Sequence, residues 1–525
     1  MKTLMSFFLS LIVAVHSQQC LKDRQLNLLD FKNSLLFNAS LSSKLVSWHS
    51  KTDCCSSPGV SCSTNGSVVG LDISRESISG GFDNSSSLFD LQHLQSLSLA
   101  FNNFTGSQIP SATGKLTSLR YLNLSSAGFG GQIPIEISLL GKLVILDISY
   151  NQGLEIQDLS MLIQNLTELT ELYLDNVSIL SQTSDWSLAI SSSLPNLKVL
   201  SLSNCQLSGP IGKSLDKLTS LSVIRLDLNK ISSPIPGFIA NFANLTTLSL
   251  RNCGLQGTFP KEIIQLINLE ILYLKENSLV LSYDATNSSY SSFPQLYQLK
   301  LLASGKLTTF PDFLRNQSGL AFLDLSNNLL HGMIPNCIWK LNLYQLNLSC
   351  NSLQTIEGPL LNVTSPVFLL DRSYNKLQGQ IPDFSSYYLD YSSNNFSSGI
   401  PTGADFCRYT SFFAAANNNL SGIIPGSICN SASLEVLDLS NNSFTGTLPQ
   451  CFTTMSGLAV LDLSGNNVTN VEIPQNCNSG SLDLGKPASK ISCQLYKFGG
   501  VKPRKQSDNR CLTLLFEEHI HLVSA

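Results

Sequence analysis

The sequence predicts an α/β solenoid: about 17 coils of ~24 residues stacked behind a disulfide-stapled helical cap. Three observations carry that prediction. The skeleton LxxLxLxxNxLxGxIP is written out in full at Leu320, Leu323, Leu325, Asn328, Leu330, Gly332, Ile334 and Pro335. It returns around Leu221–Pro236 and Leu434–Pro449. Its third apolar position can be followed through 17 copies: Leu71, Leu97, Leu122, Leu146, Leu172, Leu200, Ile224, Leu248, Leu272, Leu299, Leu323, Leu346, Leu370, Leu389, Phe413, Leu437 and Leu461. Composition agrees, since 43% of the 525 residues are hydrophobic and 13% charged, about half the usual ~25% charged, so a large core is available.

Taken in order, residues 1–17 read as a secretory leader. Lys2 is its basic start, Leu4–Val15 its apolar run, and Val15-His16-Ser17 a cleavage site. Twelve apolar residues are too few to span a bilayer, and no later run is longer, so an exported chain without a membrane span is expected. In that oxidising setting the 14 cysteines read as disulfide formers.

Residues 18–66 read as a cap. Leu28, Phe31 and Leu35 place apolar side chains on one face of a helix over about 22–37. Cys20, Cys54, Cys55 and Cys62 surround Trp48 and allow three disulfide connectivities, which spacing does not decide.

Residues 67–477 are the coils. In each LxL step both leucines face one side of a short strand and the residue between them faces the other. The Asn that follows can satisfy backbone groups in the turn leaving the strand, so stacked copies form an internal ladder. Eleven coils keep Asn there, Cys205 and Cys253 substitute for it, and Glu76, Ala127, Val177 and Ser304 break the rule. The ladder is expected to be weakest at those four. Gly-x-Ile-Pro then turns the chain to the outer side, with Pro fixing φ and Gly permitting the turn. A single coil leaves both flanks wet, so stability is a property of the stack. Beyond Cys477 the period stops; residues 478–525, with the basic run Lys502–Lys505, read as a poorly ordered tail.

Catalysis has no support. Histidines are scattered singly, His519-x-His521 lacks a third metal ligand, and no phosphate-binding glycine loop occurs. No metal and no cofactor are expected. The net charge of −4 without a basic cluster among the coils argues against nucleic acid as a partner.

The cap residues Asp23, Leu28-Leu29-Asp30-Phe31-Lys32, Trp48, Asp53-Cys54-Cys55, Gly59-Val60 and Cys62, followed by LxGxIP repeats, resemble plant leucine-rich-repeat extracellular regions. Over roughly 20–477 the chain resembles the ectodomains of plant receptor-like proteins, particularly the Verticillium-wilt resistance type. Pro58 departs from the cap pattern, standing where that family usually has Trp. The resemblance implies a right-handed leucine-rich-repeat superhelix and recognition of a peptide, protein or pathogen-derived ligand in defence. It also implies signalling through partner receptor kinases, and residence in the apoplast, or at the plasma membrane where a longer form carries a membrane segment. The family continues into further repeats, a membrane span and a short tail; this chain resembles a version truncated before the span. The competing reading is a secreted inhibitor of microbial wall-degrading enzymes, similar to polygalacturonase-inhibiting proteins, which have about ten repeats.

Strand residues pointing away from the core tile the surface such a protein binds with. The position between the two core residues is mostly small or Asp/Asn, but becomes Tyr173, Arg225, Tyr273 and Lys300 in coils 5, 7, 9 and 10. Flanking positions add Tyr121, Tyr150, Lys198, Asp227, Arg251, Glu270, Lys275 and Tyr297. Tyr and Arg supply large buried area at low entropic cost, so a peptide or protein ligand surface is expected on coils 5–10. Sixteen sequons suit a glycosylated extracellular chain: Asn38, Asn65, Asn84, Asn103, Asn123, Asn165, Asn176, Asn244, Asn287, Asn316, Asn347, Asn362, Asn395, Asn419, Asn441 and Asn467. Glycans on Asn123 and Asn347, at the middle strand position, would bound the ligand footprint between them.

Overall fold

Leucines two apart on a short strand need a second layer to cover them, and each coil supplies it for the next. The computed structural model describes residues 20–180, 185–280, 293–301, 307–357, 367–383, 386–403, 408–455, 457–469 and 491–492. The leader 1–17, Ser304, Asn287, Asn362, Lys502–Lys505 and His519/His521 lie outside the described residues, as does the side chain of Asn316. The chain divides into two compact units, 1–266 and 267–525.

In the first unit the coil strands form one parallel ladder, from Val68–Asp72 through Ser96–Ser98, Tyr121–Asn123, Ile145–Asp147, Glu171–Tyr173, Val199–Ser201 and Val223–Arg225 to Thr247–Ser249. The register pairs each key apolar residue with its equivalent, Leu71 with Leu97, Leu97 with Leu122 and on to Ile224 with Leu248. The second unit repeats the arrangement from Ile271–Tyr273 to Val460–Asp462, again leucine on leucine. All 17 of these side chains are at most 3% exposed. The two units are leucine-rich-repeat solenoids. Of the tail, Ile491–Ser492 is described, and it pairs antiparallel with Val460–Leu461 at the end of the second ladder.

The chain returns along the outer side through one-turn 3-10 helices such as Ile135–Leu139, Gly237–Asn241 and Asn336–Lys340. The residue before each is the Pro of the motif, Pro134, Pro236 or Pro335, with φ near −70°. Gly332 supplies the left-handed turn ahead of it at φ +79°.

The asparagines bind adjacent coils together. Asn151 Oδ1 accepts from the amides of Ala127 and Phe129 in the preceding coil at 3.0 and 3.2 Å. Its Nδ2 donates to the carbonyls of Leu124, Ile148 and Ser149 at 2.8–3.3 Å. Asn229 and Asn102 repeat the pattern. Where Cys replaces Asn, the thiol still donates: Cys205 Sγ to Leu174 O at 3.0 Å and Cys253 Sγ to Leu226 O at 3.1 Å. Burial raises both thiols, Cys253 up to about 12, so neither is a reactive thiolate.

Glu76 corrects the expectation of a weak rung. It is 1% exposed and reaches the cap, where its carboxylate accepts from Ser42 Oγ, Ser43 N and Oγ, Lys44 N and Leu45 N at 2.5–3.3 Å. A carboxylate there fills the donor-rich start of the 3-10 turn Leu45–Ser47. The cap helix runs Lys22–Ser34 and buries Leu28 and Phe31. The disulfides are Cys20–Cys54 and Cys55–Cys62, and Trp48 donates its indole N–H to the carbonyl of Pro58 at 3.0 Å. A third disulfide, Cys429–Cys451, joins two outer turns in the second unit.

Candidate ligand-binding surface

Strand period puts the first and third residues of each coil strand on the open side of the sheet, opposite the key leucine. In the first unit the third-position row runs Asp147, Tyr173, Ser201, Arg225, Ser249. Tyr173 and Arg225 are therefore two strands apart, roughly 10 Å. Tyr173 donates its hydroxyl to Glu171 Oε2 at 2.8 Å; burial first, and then the Glu171 charge, hold that phenol well above its ordinary value. Asp227 Oδ1 accepts from Ser249 Oγ at 2.6 Å and from Arg251 N at 2.7 Å, which fixes the strand exit below Arg225. Lys198 is exposed at the strand entry, and Tyr150 is 58% exposed with φ +57°. Tyr173, Arg225, Asp227 and Arg251 thus share one face, with Lys198 at its edge.

In the second unit Tyr273 and Lys300 are register partners, and the Lys300 ammonium lies 4.8 Å from the centre of the Tyr273 ring. Tyr273 also hydrogen-bonds through its hydroxyl to Gln298 Oε1. Tyr297 is exposed and packs edge-on against Phe322. Lys275 is a correction: it is 7% exposed. It stands two residues past the strand, where Ser326 and Ser349 are also buried, whereas Asp227 and Arg251 at the same place in their coils are half-buried. Asn347 is likewise 1% exposed, with Oδ1 accepting from Ser349 N and Oγ, and the folded strand leaves no room for a glycan on it. Asn38, Asn65, Asn84, Asn103, Asn165, Asn244, Asn395, Asn419, Asn441 and Asn467 are exposed, while Asn123 and Asn176 are half-buried.

Sequence reasoning passed over two features. Arg372 takes the second core position of coil 13, where most coils have Leu or Ile, and is fully buried. Its guanidinium lies 4.4 Å from the Trp339 ring centre and 5.3 Å from that of Tyr391. The other is a file of aromatic side chains at the strand entries of coils 10–14. A periodic reading of the residue at or just before each LxL step would have found it.

Comparison with known proteins agrees with this geometry. The leucine-rich-repeat N-terminal domain family matches residues 21–63, and leucine-rich-repeat families match 90–107, 196–218, 244–266, 319–341 and 416–468. Receptor-like protein 6 of Arabidopsis thaliana is 34% identical over 281 residues, 45% of this chain and 27% of that protein. Receptor-like protein Cf-9 of Solanum pimpinellifolium is 33% identical over 233 residues, 40% of this chain and 26% of that one. The matched part thus spans about a quarter of the length of these relatives. Among solved structures, the ectodomain of the Arabidopsis receptor kinase HAESA, in complex with an IDA peptide hormone lengthened at its N-terminus, superimposes with a TM-score of 0.62 at 26% identity. That match covers 86% of this chain and 74% of that one. The Arabidopsis HAESA ectodomain with IDA and the co-receptor SERK1 gives 0.61 at 24% identity, covering 86% and 79%, a likeness of fold. The chain carries a plant-type cap and leucine-rich repeats, and its homologues are plant receptor-like proteins.

Proposed function

We propose that this chain is the extracellular ligand-binding part of a receptor-like protein, which takes a peptide, protein or pathogen-derived ligand in defence and passes the signal to a partner receptor kinase. The observation that carries this reading is the open sheet face. Where most coils have small or Asp/Asn residues, that face presents Tyr173 and Arg225 in the first unit, and the adjacent pair Tyr273 and Lys300 in the second. Its homologues bear the name receptor-like protein, and the HAESA ectodomain of similar fold holds a peptide hormone, which supports the ligand class. The chain acts by holding a ligand, not by catalysis. Among the described residues no helix is long and apolar enough to cross a membrane. In this reading residues 1–17 direct export, 18–66 cap the stack, 67–477 bind, and 478–525 follow as tail.

The test is retention of a ligand from microbial culture filtrate by the immobilised chain. A specific fraction should be held by the wild type and lost with Tyr173→Ala/Arg225→Ala at unchanged melting temperature. Equal retention by the double variant would reject the surface.

A further inference from the structure

Five rings stand side by side across coils 10–14 of the second unit: Tyr297, Phe322, Tyr344, Phe368 and Tyr387. Their centroids are spaced by 5.4, 5.5, 4.8 and 4.5 Å. Tyr344, Phe368 and Tyr387 stack within 13° and 5° of parallel. Tyr388 stacks in the same manner on Phe412 at 4.3 Å. Tyr297, Tyr344 and Tyr387 remain 40–47% exposed, so this rail is open apolar surface and not core. Tyr344, Phe368 and Tyr387 cover one another's faces and project their edges, while Tyr297 meets Phe322 edge-on. Aliphatic side chains can lie across the edges.

Beside the rail runs a second row. The third strand position is Asp324 in coil 11, Asp371 and Asp390 in coils 13 and 14, and Asp438 and Asp462 in coils 16 and 17. The Oδ1 of each accepts from the amide of the Ser two residues on, at 2.8–3.0 Å, which pins the carboxylate to the sheet. From coil 13 onward no basic residue occupies this position, the coils offering Asp371, Asp390, Ala414, Asp438 and Asp462. Burial, and then their mutual charge in the case of Asp371, raise Asp371 to about 7; burial raises Asp390 to about 6. An incoming cation relieves that crowding, whereas an anion aggravates it. An apolar rail with a parallel carboxylate row matches an extended peptide, whose side chains alternate between two sides every ~3.3 Å.

We propose that coils 10–14 bind an extended cationic peptide of about six residues, its apolar side chains across the Tyr297–Tyr387 rail and its Lys or Arg side chains on the half-buried Asp324 and Asp390, with the buried Asp371 adding its charge from beneath. This deepens the ligand-binding reading above and rests on it, but it uses other residues and another probe, so each can fail alone.

The probe is fluorescein-labelled acetyl-(Lys-Leu)3-amide, titrated with the full chain and read by anisotropy. The comparators are (Glu-Leu)3 and (Lys-Gly)3. The Lys-Leu peptide should bind at least tenfold more tightly than either. Asp324→Asn/Asp390→Asn and, separately, Tyr344→Leu/Phe368→Leu should each weaken it at least tenfold. Asn is compatible with the turn, since Asn347 and Asn123 hold that place with the same Ser contact, so the first variant keeps its fold. Glu168→Gln/Glu262→Gln, which removes two acidic charges elsewhere, should leave binding unchanged. The proposal is overturned if the wild type fails to bind the Lys-Leu peptide or binds a comparator equally well. It is also overturned if either pair of substitutions along the rail binds as the wild type does, or if the Glu168/Glu262 variant weakens binding as much.

Discussion

At the residue scale, the rung asparagines were legible because five backbone groups in two coils need one side chain carrying both a donor and an acceptor. Asn151 meets all five, and nothing smaller can. Asn151→Ala strands two amides and several carbonyls, so it should cost about 2–4 kcal/mol in denaturant unfolding. Cys205→Ala removes weak thiol contacts and should cost about 1 kcal/mol or less beyond its lost volume. Similar losses for the two would contradict the account of the ladder. What the sequence hid at this scale is backbone strain. The residue before each rung adopts positive φ, at Asn252, Asn327 and Asn441 but also at Leu228, φ +58° and 43% exposed. A leucine pattern offers no sign of it. Leu228→Asn should therefore raise stability by about 0.5–1 kcal/mol, because Asn tolerates that region and an exposed Leu gains little. A lower melting temperature would show that Leu228 packs more than its exposure suggests.

At the scale of elements, coil length decides what lies on the outer side. Twenty-four-residue coils return through a single 3-10 turn. The 28 residues from Leu172 to Leu200 leave room for the α-helix Trp186–Ser193, capped by Asp185 through the amides of Ser187 and Leu188. The cap helix was legible from Leu28, Phe31 and Leu35. The bond between cap and first coil was not, because Glu76 reads as a failed rung until Ser42–Leu45 are folded over it. Burial pushes the Glu76 carboxyl up, yet hydrogen bonds from Ser42, Lys44, Ser43 and Leu45 together hold it below its ordinary value. A carboxyl depressed by folding contributes stability that is complete at neutral pH and disappears as pH falls through its folded value. Glu76→Ala should cost about 2–4 kcal/mol at pH 7, and this difference should narrow once pH drops below about 4. A pH-independent difference would mean that the side chain acts by filling space alone.

Over the whole molecule, one period was enough to place all 17 key apolar side chains in a core, since no other arrangement buries a leucine every 24 residues. The open face was harder to read. Departures from small residues mark Tyr173, Arg225, Tyr273 and Lys300, but each such departure is a property of a single coil. The aromatic rail and the aspartate row exist only between coils, where a consensus Asp acquires meaning from the next Asp one strand away. That juxtaposition sets how the second unit should respond to pH. Asp371 and Asp390 titrate above the ordinary carboxylate range in the fold, Asp371 at about 7 and Asp390 at about 6, and near 4 when unfolded. The native state therefore holds protons that the unfolded chain releases, and stability falls as pH rises from about 4 to 7. The loss should be about 2 kcal/mol across that window, after allowing for the two groups sharing one interaction. Asp371→Asn removes both the titrating group and its repulsion of Asp390. The variant should match the wild type near pH 4, exceed it at pH 8, and show a flatter profile between, as followed by thermal melts of the full chain. Parallel profiles would mean that the row is dispersed by solvent and that its carboxylates do not feel one another.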